Sequence, residues 1–331
     1  MSSRYIPLAG IVLLLLFLSI LGSSFLLQTH PRLSPPENYG EPDMAATPGD
    51  KLGEVLSRGR MIIATDAAYP PNSELVPGAR RKGGTRCDRS EFTADEFTGY
   101  NIAVATEVAR RLGVEPCFVT PTRTEIISGS WTDRWDIHIG SMAITQERMK
   151  VLQFTEPYYA GPVSLFVNAN NTAFRDARDL TGTKIGVCSG CILERYLEGT
   201  LEMPGQTIDF AIRNATIVAY ENEAVALSDL GRGDGTILDA VLTNQPLGED
   251  AIKSGMPLRQ LGGPVFYDYD AAAVDRKSVR DTTSFVTRVS SIIHDMERDG
   301  TLLLFSQQYY GRDLVSDTAR FDYHVLEPAA L

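Results

Sequence analysis

Short apolar runs alternate with longer amphipathic stretches along most of the chain after residue 50. Short runs bounded by polar residues or glycine are typical of strands with buried faces. They predict strands at 61–65, 118–119, 136–140, 163–167, 184–187 and 240–242. Because these strands alternate with helical patterns, the chain is predicted to have an α/β fold.

Two of the amphipathic stretches have clear helical spacing. The first has apolar residues at 102, 105, 108, 109 and 112, and Gly113 is well placed to end it. The second has them at 285, 289, 292, 293 and 296, and ends at Asp299 and Gly300. No internal repeat of fixed period is visible.

The amino-terminal segment is uncharged from Tyr5 to Gln28. About 20 apolar residues span a bilayer, whereas the apolar core of a signal peptide has about 7–15. Residues 1–27 are therefore predicted to be either an uncleaved signal anchor or a signal peptide cleaved after the small residues near Gly22 and Ser24. Since Arg4 flanks the segment, both alternatives place the rest of the chain outside the cytoplasm. Proline-rich residues 28–50 are predicted to form a flexible tether.

Composition narrows the class of protein further. The 331 residues include 31 Lys and Arg against 42 Asp and Glu, a formal net charge of −11. No basic stripe appears, so nucleic acid is excluded as a partner. The length suits two domains. The sequence contains no GxSxG, HExxH or GxxxxGK[ST] motif and indicates no cofactor.

Four cysteines in an exported chain predict two disulfides. Three pairings are possible, and spacing favours Cys188 with Cys191 and Cys87 with Cys117. The CxxC pair also permits a redox interpretation, because a helix amino terminus lowers the pKa of a thiol. Its place past the middle of the chain favours a structural disulfide. None of the four His residues lies at zinc-ligand spacing from these cysteines, so no metal is predicted.

Five stretches, in order, resemble the family-3 extracellular solute-binding proteins, the polar-amino-acid receptors of ABC importers. They are IIATDAAYPPN, FTGYNIAVATEVARRLGVE, DIHIGSMAITQERMKVLQFTEPYY, DLTGTKIGVCSGCILERYL and MERDGTLLLFSQQYYG. The third is the most specific, since it resembles the segment that carries the family's carboxylate-binding arginine. The resemblance covers about residues 51–315.

The resemblance implies a two-lobed, type II periplasmic-binding-protein-like fold, with the lobes joined by two crossover strands. Lobe I would comprise residues 51–162 and 268–331, and lobe II residues 168–262. The implied function is the extracytoplasmic component of an ABC importer. It would close like a hinge on an amino acid or related small carboxylate and present it to the permease subunits.

In lobe I, Arg148 matches the position of the family's carboxylate-binding arginine, and its guanidinium fork suits that task. The resemblance also implies ligand contacts from Ser141 and from Ala143, where a hydroxyl residue is common. Asp66 and Tyr69 match positions that line the cleft. Counting back from Arg148 places Arg123 where relatives often carry a stacking aromatic residue, whereas a gap would bring Trp131 there instead.

In lobe II, Ser189, Gly190 and Ile192 match the helix amino terminus at which relatives bind the ligand carboxylate. Ile192 stands where a threonine is frequent. Asn244 matches a position at which amino-acid receptors usually place an acidic residue against the ligand ammonium. Because Asn brings no charge, the sequence argues against an ordinary α-amino acid unless another acid, with Asp66 the nearest candidate, meets the ammonium.

Two other classes of function remain open. The first is an enzyme on the same fold, since relatives include cyclohexadienyl dehydratases. Glu156 or Asp66 would be its acid or base, but neither the spacing nor a His partner supports either residue. The second is a membrane-tethered sensor domain, which would normally need a cytoplasmic output domain. Only about four residues precede the apolar segment here.

Overall fold

A computed structural model describes residues 49–221, 223–233 and 237–326. The signal segment at 1–27 and nearly all of the tether lie outside these residues. Within them, no helix is both long enough and apolar enough to cross a membrane.

The described part of the chain alternates strands and helices. Its α-helices are α1 Lys51–Arg58, α2 Tyr100–Leu112, α3 Arg123–Ile127, α4 Gln146–Met149, α5 Ile192–Glu198, α6 Glu223–Arg232, α7 Gln245–Lys253, α8 Thr283–Arg298 and α9 Thr301–Tyr310. Its strands are β1 Arg60–Ala64, β2 Ala68–Tyr69, β3 Ser73–Leu75, β4 Phe92–Thr93, β5 Phe97–Thr98, β6 Glu115–Val119, β7 Ile137–His138, β8 Leu152–Asn168, β9 Lys184–Cys188, β10 Thr216–Tyr220, β11 Ala240–Asn244 and β12 Leu258–Asp275.

Nine strands form one sheet in the order β10-β9-β11-β8-β12-β7-β1-β6-β4. Strand β1 pairs in parallel with β6 and β7 at one end, and β9 pairs in parallel with β10 and β11 at the other. Between them, β8 and β12 pair antiparallel along most of their lengths. We call the half that contains β1, β4, β6 and β7 lobe I, and the half that contains β9, β10 and β11 lobe II.

Each lobe has its own hydrophobic core. In lobe I, α2 packs its buried Val104 and Val108 against the same core as Phe285 of α8. In lobe II, Val187 of β9 and Tyr196 of α5 share a separate core. Because β8 and β12 are the only described strands that run through both halves of the sheet, they are the crossover strands. The predicted fold, two α/β lobes joined by two crossover strands, is confirmed.

Both predicted disulfides are present. Cys87 and Cys117 lie 5.4 Å apart at their Cα atoms and join the loop before β4 to β6. Cys188 and Cys191 lie 5.7 Å apart and join the end of β9 to the residue that caps α5. The second disulfide therefore links the strand and the helix that meet at the edge of lobe II nearest the cleft.

The strand predicted at 136–140 is shorter in the structure. Strand β7 pairs with β1 only through Ile137 and His138, and the chain then leaves the sheet at Gly140. A Cβ atom at Gly140 would lie 2.5 Å from Nε2 of His138, so only glycine allows the chain to pass so close to the buried imidazole. This turn directs the next loop, residues 141–145, towards the crossover strands.

Candidate ligand-binding cleft

A cavity of about 80 Å³ lies between the lobes beside the crossover strands; we call it the inner cavity. Residues of both lobes and of both crossover strands line it. Lobe I contributes Tyr69, Asn72, Arg123, Ser141, Ala143 and Arg148. The crossover strands contribute Tyr159, Asp268 and Asp270, and lobe II contributes Cys188, Cys191, Ile192, Leu193, Glu223 and Asn244.

Arg148 is held in place at the start of α4. The hydroxyl of Thr145 caps this short helix by accepting a hydrogen bond of 3.2 Å from the Arg148 amide. The guanidinium donates a hydrogen bond of 2.9 Å to the carbonyl of Ala143. Burial and the nearby charge of Arg123 lower the pKa of Arg148 to about 10, so it stays protonated at neutral pH. The site thus contains an oriented cation with further donors directed to the cavity.

Asp268 and Asp270 form an acidic pair on the face of β12 that lines the cavity. Residues two apart on a strand share a face, so Tyr267 and Tyr269 point the other way, towards a core cluster of lobe I. Each aspartate has one buried carboxylate oxygen without a hydrogen-bond partner among the described residues. A buried acceptor left in this state costs about 1–3 kcal/mol, and more when it is charged. Each carboxylate therefore has an oxygen that lacks a hydrogen-bond donor, and a ligand can supply that donor.

Burial raises the pKa of Asp268 and of Asp270, and the charge of Asp268 raises the pKa of Asp270 further. The positive charges of Arg148 and Arg123 act in the opposite direction on both. No salt bridge joins either aspartate to either arginine within the described residues. The cavity therefore keeps positive and negative groups apart, an arrangement that suits a zwitterion.

Lobe II supplies an amide, an acid and an apolar wall. Asn244 ends β11, and its buried Oδ1 has no hydrogen-bond partner in the described part of the chain. Glu223 begins α6 and also lines the cavity. Ile192 and Leu193, at the first turn of α5, are both buried and form the apolar side.

The structure brings most of the site residues predicted from the sequence together, but not all of them. Seven line the inner cavity: Tyr69, Arg123, Ser141, Ala143, Arg148, Ile192 and Asn244. Gly190 lines an adjoining cavity. Asp66 and Ser189 line neither cavity, and Ser189 is exposed on the loop before α5.

Of the two residues considered for the cleft, Arg123 lines the inner cavity and Trp131 does not. Arg123 begins α3 and lines the inner cavity. Trp131 is only 1% exposed, and its indole donates a hydrogen bond of 2.9 Å to the carbonyl of Ile126 within the lobe I core. A tryptophan with its N–H satisfied in a core is a packing residue.

Sequence reasoning missed both aspartates of the acidic pair, as well as Asn72, Tyr159 and Glu223. The available signal was the alternation Tyr-Asp-Tyr-Asp at 267–270, which predicts a strand with carboxylates on one face. It was not recognised, because residues 262–264 read Gly-Gly-Pro and suggest a turn rather than a continuous strand.

Glu156, the candidate acid or base for an enzyme, does have a His partner. His294 Nδ1 lies 3.2 Å from its carboxylate, which the sequence analysis did not foresee. Glu156 lines a groove on lobe I together with Phe154, Ser290 and Tyr323, and that groove shares no residue with the cleft. The pair is therefore not part of the inter-lobe site.

A second, larger cavity of about 450 Å³ adjoins the first; we call it the outer cavity. It shares Arg123, Arg148 and Ile192 with the inner cavity. Near it, Glu147 of lobe I forms a salt bridge with Arg195 of lobe II. Arg312 of lobe I also forms a salt bridge with Asp250 of lobe II, at 3.1 Å. The lobes are thus in direct contact at these two pairs.

Comparison with known proteins identifies the family. Residues 86–312 match the model of the bacterial extracellular solute-binding proteins, family 3. The chain is 25% identical over 267 residues to the L-cystine-binding protein TcyJ of Escherichia coli K12, covering 80% of this chain and 87% of that protein. It is 23% identical over 262 residues to the lysine/arginine/ornithine-binding periplasmic protein of the same strain, covering 77% and 89%.

Solved structures agree on the fold. The ancestral amino acid-binding protein AncCDT-1, a precursor of cyclohexadienyl dehydratase, matches with a TM-score of 0.58 and 24% identity, over 79% of this chain and 99% of that one. A mutant of ArgBP from T. maritima matches with a TM-score of 0.58 and 20% identity, over 79% and 100%. The type II periplasmic-binding-protein fold is confirmed. The family model covers well over half of the chain, and the chain belongs to the bacterial extracellular solute-binding proteins of family 3.

Proposed function

We propose that this chain is the amino-acid-binding component of an ABC importer and that it closes on a zwitterion in the inner cavity. Arg148 holds the carboxylate of the ligand, and Asp268 and Asp270 hold its ammonium. The observation that carries this proposal is the acidic pair: two carboxylates, each with one buried oxygen that has no partner among the described residues, line the same cavity as an oriented guanidinium.

The acidic pair changes what Asn244 implies about the ligand. From the sequence, the loss of an acid at this position argued against an ordinary α-amino acid. Asp268 and Asp270 supply the missing negative charge from β12, while Asp66, the candidate favoured from sequence, does not line the cavity. Asn244 then accepts a hydrogen bond through its buried Oδ1 and adds no charge.

The architecture supports a role in transport. Two lobes that are joined through the strands β8 and β12 can close around a ligand, and a permease can distinguish the closed form from the open one. The predicted signal anchor or signal peptide would place the protein outside the cytoplasm. The names of two relatives refer to L-cystine and to lysine, arginine and ornithine, all of which are amino acids.

A thermal-shift screen of the full chain in mild detergent tests this proposal. The panel contains the L-amino acids, their deaminated acids and their decarboxylated amines. A ligand at 100 times its dissociation constant adds about 2.7 kcal/mol of stability, so a true ligand raises the melting temperature visibly. We expect stabilisation by one or more amino acids but not by their deaminated acids or amines, and no turnover of the bound amino acid. Stabilisation by none of the panel, or turnover of a hit, would contradict the proposal.

A further inference from the structure

The inner cavity is smaller than most pockets that bind small molecules. Pockets for small molecules usually measure about 300–1,000 Å³. The inner cavity measures about 80 Å³ and the outer cavity about 450 Å³, so only the two together fall within that range. Because Arg123, Arg148 and Ile192 line both, a ligand that fills the cleft passes these three side chains.

The two cavities differ in charge. Asp268, Asp270 and Glu223 line the inner cavity. The outer cavity adds Lys150 and Arg195 to the two shared arginines, and its one acid among the described residues, Glu147, already pairs with Arg195.

Basic residues outnumber acidic ones among the described residues that line the outer cavity. The side chains of Arg123 and Lys150 form no hydrogen bond or salt bridge with any residue that the structure describes. Among the described residues, the guanidinium of Arg148 donates only to the carbonyl of Ala143. Guanidinium and ammonium groups left in this state favour an anionic partner.

The remaining wall of the outer cavity is partly apolar. Ile127 and Val151 of lobe I face it, together with Ile192 of lobe II. A few charged groups set in an apolar wall are typical of a site for a small organic ligand. A ligand with a methylene chain that ends in an anionic group would match both the apolar side chains and the basic groups of the outer cavity.

We propose that the outer cavity is a second subsite, which binds the distal carboxylate of an elongated amino acid. The α-ammonium of this ligand lies at the acidic pair, its α-carboxylate at Arg148, and its second carboxylate beside Lys150 and Arg123. The ligand class is therefore amino acids with a further carboxylate at the far end of the side chain. This inference rests on the proposed function of the inner cavity.

Calorimetry on the full chain in mild detergent tests the subsite with two matched series. The acid series is L-aspartate, L-glutamate, L-2-aminoadipate and L-2-aminopimelate. The uncharged series has the same numbers of carbon atoms: L-2-aminobutyrate, L-norvaline, L-norleucine and L-2-aminoheptanoate. We expect the longer acids to bind at least about tenfold more tightly than their uncharged partners, the effect of one charge-assisted bond. The shortest acid should show no such gain.

Two variants locate the effect. Lys150→Gln should remove most of the gain of the long acids and leave the uncharged series unchanged. Lys82→Gln removes the same charge from an exposed lysine that lines neither cavity, and it should change neither series. A gain that is absent at every chain length, or that survives in Lys150→Gln, overturns the inference.

The outcomes separate this inference from the proposed function. If amino acids bind but the acid series shows no gain, only the outer subsite is wrong. If no amino acid of any class binds, the proposed function fails and the subsite fails with it.

Discussion

At the scale of single residues, the cleft owes its properties to charged groups that the fold removes from water. Arg148 was predicted from the sequence, because its motif resembles the family's carboxylate-binding segment. Asp268 and Asp270 were not, since a charged residue in a sequence is ordinarily read as exposed. Only the pairing of β12 with β8 shows that these carboxylates are buried beside a cavity.

Replacing Arg148 with Ala tests the carboxylate anchor. A charge-assisted hydrogen bond contributes about 1.5–3 kcal/mol, so the affinity for the amino acid should fall roughly 10- to 100-fold. Calorimetry measures the change. Arg134→Ala is a matched control, because Arg134 is exposed on the same lobe and lines neither cavity. Unchanged binding in Arg148→Ala would show that Arg148 does not bind the ligand carboxylate.

Replacing Asp270 with Asn should change stability and binding in opposite directions. Asp270 is 5% exposed, and burial raises its pKa well above the usual value, so its charged form disfavours the folded protein without ligand. The neutral amide should therefore raise the melting temperature. It should also weaken amino-acid binding about tenfold or more. A variant that loses stability and affinity together would indicate a merely structural role.

The acidic pair also predicts how binding depends on pH. Because the pKa values of Asp268 and Asp270 are raised, these groups take up protons at a higher pH than ordinary carboxylates as the solution is acidified. A protonated carboxyl group holds an ammonium poorly, so affinity should fall between pH 7.5 and pH 5, where the ligand itself keeps its charges. Calorimetry across this range, repeated with Asp268→Asn, measures the effect. Affinity that stays constant over this range would argue against the pair as the ammonium site.

At the scale of elements, local patterns predicted the helices and the shorter strands. The apolar spacing from Ile102 to Leu112 predicted α2, and Gly113 ends it at a positive φ of 79°. The crossover strands were harder to find, because each one leaves the core of one lobe and enters that of the other. Only part of β8 was predicted, at 163–167, and β12 was known only from the resemblance. The local spacing of apolar residues does not reveal a strand that packs in one lobe at one end and in the other lobe at the other end.

The Cys188–Cys191 disulfide is predicted to be structural. It joins the end of β9 to the cap of α5 and so fixes the loop that borders the inner cavity. Mass spectrometry after alkylation of the unfolded protein should find no free thiol. The protein should not accelerate the reduction of insulin by dithiothreitol. Catalysis in that assay would instead favour the redox interpretation.

At the scale of the whole molecule, the two lobes meet around a cleft whose charges are separated. Acidic groups lie on β12 and at the start of α6, and basic groups lie on α3 and α4. The salt bridges Glu147–Arg195 and Arg312–Asp250 connect the lobes. A ligand that bridges the opposite charges stabilises the closed form by binding it more tightly than the open one.

A crystal structure of the amino-acid complex is the most direct test of this account. We predict closed lobes, with the ligand carboxylate bonded to the Arg148 guanidinium and the ammonium within hydrogen-bond distance of Asp268 or Asp270. Asn244 would contact the ligand without being the principal partner of the ammonium. A complex in which the ammonium is bound by Asn244 or Asp66, with the acidic pair left without a ligand contact, would contradict the central claim.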